Sequence, residues 1–452
     1  MATSRPKHVV LFPFPAQGHF ASFLAIARLL ARELPDAAIT LVSTPRNVAA
    51  LRSSSSSAVP PQAPSSIGFH ALPFVPADHG LPVGCESTSS LPVPSFVTLF
   101  EALESLQPAF DDYVSGLRRR QSGGDDDEAA PADICIVADV FVAWTVDVAR
   151  RHGCAHAVFV SCGAFGTAIL HALWNHMPAL PFASDGSLLR LPEYPDVVLH
   201  RSQLSPIFLL HGDMSDRWTA FYRRAIRHGH RTDAVLANTV EEFESTGLAM
   251  MRRAAGNGKN SIQAKQMTEL AAALETTGRP FVWAIRPPVG FDVVAGAFRD
   301  EWLPEGFEAR ARAGGRGLVV RGWAPQVRIL AHAATGAFLS HCGWNSVLES
   351  LTHGVPILGW PLSAEQFYNA RMLAEEWGVC AEVARGNLES SAVDRSKVAE
   401  AVETVMGDAV AAAAAMRRRV KEVQEVLKSA WRQDGGSSTA ALHEFLRAMN
   451  LQ

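Results

Sequence analysis

Gly336-Ala337-Phe338-Leu339-Ser340-His341-Cys342-Gly343-Trp344-Asn345-Ser346-Val347-Leu348-Glu349-Ser350 carries the pattern that decides the fold. A short apolar run ends in polar residues, a glycine makes the turn, and a helix-period segment begins at Asn345. A strand that runs through glycine into a helix aims backbone N–H groups and the positive helix end at one point, which suits an anion. Gly343 lets the backbone approach a phosphate closely. His341, Asn345 and Ser346 can add donors. On these residues alone an ordinary capped helix is an equal reading.

The same alternation continues outward in both directions. Phe281–Ile285, Gly317–Val320, Gly336–Ser340 and Val355–Gly359 are predicted strands. Asn260–Thr277, with Asn260 as N-cap and Gln263 closing a capping box, Pro325–His332, Asn345–His353 and Ala364–Trp377 are predicted helices. Helices fill most of Ala392–Met449. Toward the N-terminus, His8–Phe14, Ala38–Ser43, Ile134–Ala138, Ala155–Val160 and Ala234–Asn238 read as strands. Gly18–Leu34 and Ala143–His152 read as helices. Strands alternating with helices predict α/β layering with parallel sheets. Arg52–Ser66 and Gln121–Pro131 read as surface loops. The acidic run Gly123-Gly124-Asp125-Asp126-Asp127-Glu128 is read as solvated, because consecutive aspartates do not converge on one ion.

The chain has 452 residues, too many for a single core. The expected division is a first domain over 1–250, a second over 251–432, and a C-terminal helix in 433–452 packing back on the first. Hydrophobic residues make up 48% and charged residues 19%, which excludes global disorder. The net charge of −4 offers no basic field for nucleic acid. The six cysteines form no C-x-x-C pair and read as reduced, buried thiols. His8 to Pro15 is too short and proline-rich for a secretory signal, and no stretch is apolar enough to span a bilayer. The expectation is a cytoplasmic monomer.

Polar side chains collect where strands end, the edge at which open α/β sheets bind ligands. Trp323 precedes the rigid turn Ala324-Pro325-Gln326 and can stack on a planar base. Glu349 lies one turn into the helix after Gly343, where a carboxylate can take two ribose hydroxyls. Glu365 and Gln366 follow Trp360-Pro361 and suit sugar hydroxyls. In the first half, His19 of Pro15-Ala16-Gln17-Gly18-His19 sits where a strand turns into a helix, whose dipole favours the neutral imidazole of a general base. Asp139 ends the strand Ile134–Ala138 and can orient that imidazole.

The stretches W-A-P-Q-V-R-I-L-A-H from Trp323, F-L-S-H-C-G-W-N-S-V-L-E-S from Phe338 and G-V-P-I-L-G-W-P-L-S-A-E-Q from Gly354 resemble the signature box of the plant secondary-product UDP-glycosyltransferases. The resemblance extends from Val9 to the C-terminal helices. It implies a GT-B fold: two Rossmann-like domains facing a cleft, acceptor in the first and UDP-sugar in the second. It implies that Trp323 stacks on uracil and that the Ala324 backbone pairs with the base. Gln326 and Glu349 would hold the ribose, and His341, Gly343, Asn345 and Ser346 the phosphates. Trp344, Glu365 and Gln366 would face the sugar, with glucose implied by the final glutamine. His19 and Asp139 would be the catalytic pair for inverting transfer to a hydroxyl of a small apolar acceptor such as a phenolic, flavonoid, terpenoid or hormone. UDP-sugar is then the co-substrate, with no cofactor and no metal.

One departure stands out. Asn238-Thr239-Val240-Glu241-Glu242-Phe243-Glu244 matches the end of the family's first domain. The linker, opening strand and Gly-Ser loop that follow in the family are missing before Asn260. A doubly wound domain that opens on a helix lacks its central strand, so the second sheet is expected to be one strand short. A non-catalytic, truncated relative that binds UDP-sugar at most is the alternative. A nicotinamide-dependent oxidoreductase has no G-x-G-x-x-G after a strand to support it; Gly163-Ala164-Phe165-Gly166 does not fit.

Overall fold

Lys7–Phe12 (β1) is the centre of a six-stranded parallel sheet. The computed structural model describes residues 7–56, 67–121, 133–176, 188–192, 194–205, 208–209, 215–251, 264–285, 287, 298–362, 364–386, 392–407 and 411–452. After β1 come helix α1 (Gln17–Glu33), β2 (Ala38–Ser43), α2 (Pro45–Ser56), β3 (Gly68–Ala71), α3 (Phe96–Glu104) and α4 (Gln107–Gln121). They are followed by β4 (Asp133–Asp139), α5 (Thr145–His152), β5 (Ala155–Val160), α6 (Ala164–His176), the hairpin β6 (Leu188–Leu191) and β7 (Tyr194–His200), α7 (Arg217–Gly229) and β8 (Ala234–Ala237). The strand order is β3-β2-β1-β4-β5-β8. That is the doubly wound order, with its switch point between β1 and β4.

By proximity of backbone the chain forms two units, Met1–Ser161 with Met214–Asn238 and Ser438–Gln452, and Cys162–Asp213 with Thr239–Ser437. In the first, β1, β4 and β5 are buried along nearly their whole length. Parallel strands covered on both faces need such continuous apolar runs. Helix α1 turns His19, Ser22, Phe23, Ile26, Ala27, Leu30 and Ala31 inward, a helical stripe. Phe23 is fully buried and meets Phe159 of β5 edge-on at 5.1 Å. Each such aliphatic or aromatic side chain contributes about 1.5–3 kcal/mol on burial. The C-terminal helix Ser437–Ala448 places Leu442, Phe445 and Leu446 in this same core, with Val9 and Leu11.

The sequence predicts a loop over Arg52–Ser66, yet its first residues belong to α2. Pro45 sits in the first turn, which a helix tolerates, and Val48 and Leu51 are buried three residues apart. Their apolar spacing outweighs the serine-rich composition that follows. The acidic run 123–128, Asn260 with Gln263, and the boundary 252–260 lie outside the described residues.

The second unit contains α8 (Ser245–Met251), α9 (Ala264–Thr277), β9 (Phe281–Ile285), α10 (Phe307–Ala313), β10 (Gly317–Arg321) and α11 (Gln326–Leu330). Next are β11 (Phe338–Ser340), α12 (Trp344–Thr352), β12 (Ile357–Gly359), α13 (Gln366–Glu375), β13 (Cys380–Glu382), α14 (Arg395–Met406) and α15 (Ala411–Ser429). Its parallel strands form two separate sheets, β10-β9 and β11-β12-β13. Read as one doubly wound series, these are strands 3-2 and 4-5-6; the position between them, strand 1, is empty among the described residues. Val282 of β9 and Leu318 of β10 are 50% and 51% exposed. Helix α9 spans the division: Met267 and Ala271 pack with Ile285, while Leu270 and Ala273 pack with Leu358 and Trp360.

Candidate active site

His19 lies in the first turn of α1, just beyond the end of β1, and Asp139 is the last residue of β4. Because β1 and β4 are paired neighbours, the fold brings the two side chains together at the switch point. His19 Nδ1 lies 2.5 Å from Asp139 Oδ2, with both residues buried. A carboxylate at that distance fixes the proton on Nδ1, which leaves Nε2 as the basic nitrogen. Asp139 is itself held by Phe141 N–H, which donates to Oδ1 at 3.1 Å. Ser161 Oγ also reaches His19 Nδ1, at 3.3 Å. The sequence reading passes over Ser161. Its signal is the register of β4 with β5, which pairs Asp139 with Phe159 and puts Ser161 just past the same sheet edge.

An aromatic shell, also absent from the sequence reading, surrounds the imidazole. Phe14 packs edge-on against His19 at 5.4 Å, and Phe141 lies at 5.8 Å. Phe100 stacks on Phe141 at 5.1 Å and meets Phe221 of α7 at 4.8 Å. These rings come from four separate segments, so no local spacing announces them. They keep the dyad in apolar surroundings, which strengthens its charge-assisted hydrogen bond.

In the second unit, α12 follows β11 across His341-Cys342-Gly343. Gly343 is the N-cap and brings no capping side chain. A Cβ there would fall 2.4 Å from His341 Nε2, so the imidazole covers the glycine backbone and would have to move aside for any larger residue. Cys342 and Ala364 both adopt left-handed backbone, φ 60° and 53°. For residues with a Cβ this costs about 1–2 kcal/mol each, and such outliers gather at ligand loops. Both stand just before the helices α12 and α13. Gln326 Nε2 donates to Glu349 Oε2 at 2.7 Å and to Ser346 Oγ at 3.1 Å. That pair joins the segment after β10 to the helix after β11. Trp323 is 70% exposed, an open indole face beside this cluster in sequence. The carbonyl of Ala324 accepts from Gln326 N–H at 2.8 Å.

The three residues expected at the sugar are buried. Trp344 is 2% exposed and stacks on Phe243 at 5.8 Å. Glu365 is 1% exposed and Gln366 is fully buried, with Gln366 Oε1 accepting from Leu362 N–H at 3.1 Å. Asn345, like Ser346, lies in the first turn of α12 and is partly exposed. The spacing His152-Gly153-Cys154-Ala155-His156 is that of a helical metal pair, which the expectation of no metal overlooks. In the structure His152 ends α5, and His156 lies on β5 with its ring between Thr145 Oγ1 and Thr232 Oγ1, both at 2.9 Å. Burial pushes the pKa of His156 down to about 3, as suits a neutral core histidine.

Residues 253–421 match the family profile described as "UDP-glucoronosyl and UDP-glucosyl transferase". UDP-glycosyltransferase 92A1 of Arabidopsis thaliana is 34% identical, over 99% of this chain and 98% of its own. That alignment runs over 499 positions, so at least 47 of them (499 less 452) face a gap in this chain. Crocetin glucosyltransferase 3 of Crocus sativus is 36% identical over 86% of this chain and 89% of its own. Among solved structures, Glycyrrhiza uralensis UGT73P12 complexed with glycyrrhetinic acid 3-O-monoglucuronide superposes with a TM-score of 0.80, at 25% identity over 98% of this chain and 96% of its own. Medicago truncatula UGT71G1 complexed with UDP-glucose shares the fold with a TM-score of 0.74, at 23% identity over 98% of each chain.

Proposed function

The chain belongs to the UDP-glycosyltransferase family, and from that premise we propose inverting transfer of glucose from UDP-glucose to a hydroxyl of a small apolar acceptor. The observation that carries the proposal is the buried His19–Asp139 pair at the switch point of the first sheet. With its Nδ1 proton donated to Asp139, His19 Nε2 takes the acceptor hydroxyl proton as the oxygen attacks the anomeric carbon. The bond from that carbon to the diphosphate oxygen breaks on the opposite face, so an α-linked donor yields a β-glycoside. The imidazolium that forms is stabilised by the Asp139 carboxylate. Charge on the departing UDP is met by the positive end of α12, with His341, Gly343, Asn345 and Ser346 placed around it.

Within this reading Trp323 and Ala324 take the uracil, Gln326 and Glu349 the ribose, and Trp344, Glu365 and Gln366 the sugar. Glucose draws support from Gln366 and from the relatives named for glucosyl transfer or solved with UDP-glucose. An apolar acceptor draws support from the Phe14, Phe100 and Phe141 shell around His19. A cytoplasmic setting fits the six free, buried cysteines. Among the described residues no helix is long and apolar enough to cross a membrane.

His19→Ala tests the assignment. Turnover, read as UDP release with a panel of phenolic acceptors, should fall by about 10²–10⁴-fold, while UDP affinity stays unchanged. Wild-type turnover in the variant would remove His19 from the mechanism. The divided second sheet favours one other reading, a protein that binds UDP-sugar without turning it over. UDP binding by the wild-type chain without UDP release across the panel would select that reading.

A further inference from the structure

Glu244 is a buried carboxylate that neither the dyad nor the nucleotide residues use; it is 2% exposed. Its Oε2 accepts from Ala164 N–H and its Oε1 from Phe165 N–H, each at 2.9 Å. The Thr239 hydroxyl donates to Oε2 as well. Those two amides open α6, where no intrahelical carbonyl can reach them. A carboxylate there also meets the positive helix end. Burial pushes the pKa of Glu244 up to about 7, opposed by the three hydrogen bonds and reinforced by the nearby Glu376 carboxylate.

The turn that Glu244 holds lies directly on the residues assigned to the sugar. A Cβ at Gly163 would fall 2.8 Å from Trp344 Cδ2 and 2.9 Å from Glu244 Oε1. A Cβ at Gly166 would fall 2.6 Å from Asn369 Oδ1 and 2.9 Å from Glu365 Cβ. Bare backbone is therefore in contact with the α12 and α13 side chains. Asn369 Nδ2 in turn donates to the carbonyl of Cys342 at 3.0 Å, the left-handed residue of the phosphate loop. Phe243, the neighbour of Glu244, stacks on Trp344 and tilts against Trp377. The contacts run unbroken from Glu244 through α6 to Trp344, Glu365 and the loop before α12. Glu349 shares helix α12 with Trp344, but its side chain is tied to Gln326 after β10 and not to α6.

We infer that Glu244 is a positioning residue for the sugar end of the donor site: by fixing the first turn of α6 it sets where Trp344 and Glu365 stand. This rests on the second unit being the donor site. The consequence is selective. Loss of Glu244 should loosen the grip on the sugar and leave the uridine grip intact.

The test uses Glu244→Ala and Glu244→Gln in the full chain. UDP and UDP-glucose are titrated by calorimetry, and hydrogen exchange is followed over residues 164–166. In Glu244→Ala, UDP-glucose affinity should fall about tenfold or more, the scale of a lost charge-assisted hydrogen bond, while UDP, which keeps the Gln326–Glu349 contacts and feels the change only through the loop before α12, should lose no more than about threefold. The amides of Ala164 and Phe165 should exchange faster. Glu244→Gln keeps an acceptor oxygen and should recover most of the UDP-glucose affinity. Equal loss of both ligands, unrepaired by glutamine, would reduce Glu244 to a fold support and overturn the inference; so would unchanged UDP-glucose affinity. If the wild-type chain binds neither ligand, the donor-site reading fails on its own. Hydrogen exchange then decides whether Glu244 holds the turn: faster exchange at 164–166 in alanine but not glutamine upholds it, and equal exchange overturns it.

Discussion

The first sheet of this molecule is whole and the second is divided. In the first, β1 lies between β2 and β4, and its residues after Lys7 are all buried. In the second, β9 has β10 on one side and no described strand on the other, and alternate residues of β9 face solvent. Both halves follow one doubly wound plan, so the contrast isolates what the central strand does. It pairs on both sides and is covered on both faces. Without it the backbone groups of two neighbours lose partners, and one core becomes two, bridged by α9. The loops at the strand ends survive the division: the His341–Asn345 turn and the Gln326–Glu349 pair are in place. Each stands on a strand that is still paired on one side, β10 with β9 and β11 with β12.

Closing the gap should produce the largest change. Inserting a linker, an apolar strand and a Gly-Ser loop of family type between Ala255 and Asn260 adds a strand paired on both sides. The gain should be on the order of 5 kcal/mol or more, from several buried side chains and ladder hydrogen bonds. Calorimetry should show a higher melting temperature, and UDP release should be faster. A parent chain that melts in one cooperative step, with a transfer rate the insertion does not raise, would show that the strand is dispensable.

A matched pair of substitutions sharpens the contrast. Phe23→Ala, in the whole half, should cost about 3–5 kcal/mol in urea unfolding. Val282→Thr, on the half-exposed face of β9, should stay within about 0.5 kcal/mol. Comparable losses would mean that β9 is as deeply packed as β1.

Glu349→Ala removes a side-chain tie between the two partial sheets. UDP affinity should weaken by about 1–3 kcal/mol by calorimetry, the cost of unpairing charged hydrogen bonds. Unchanged affinity would leave Glu349 a packing residue.

A further contrast is one of pH. Burial raises the pKa of Glu244 from 4.5 to about 7 in the folded chain. The folded state therefore keeps a proton that the unfolded state releases first. Stability from this group is full below about pH 4.5, declines as pH rises toward 7, and is flat above. Glu244→Gln should flatten that slope between pH 5 and 7.5, read as the shift in urea midpoint. An unchanged slope would place the titrating group elsewhere.

Where chemistry is local, the residues announce the structure. The turn at Gly343 and the strands Ala38–Ser43 and Phe281–Ile285 are legible from neighbouring residues, and the shortened second sheet from the segment missing relative to the resembled family. Where packing is non-local they are not. The Phe14–Phe100–Phe141 shell assembles from distant segments, and the burial of Trp344, Glu365 and Gln366 depends on α6 meeting α12 and α13. Ser161 stands between these cases, readable only once β4 and β5 are known to be neighbours. Helices α3, α4 and α7 carry no local signal of this kind, since without the sheet they cover their spacing points to no particular partner.

The return of Ser437–Ala448 to the first core has a consequence for synthesis on the ribosome. Leu442, Phe445 and Leu446 sit beside Val9 and Leu11, yet they emerge long after β5. At roughly 5–20 residues per second, the first sheet waits tens of seconds with part of its apolar surface uncovered. Throughout that interval the divided second unit is also being made. The half that is whole at the end is thus the half left incomplete longest during translation, and a chaperone that shields apolar surface has its longest window there.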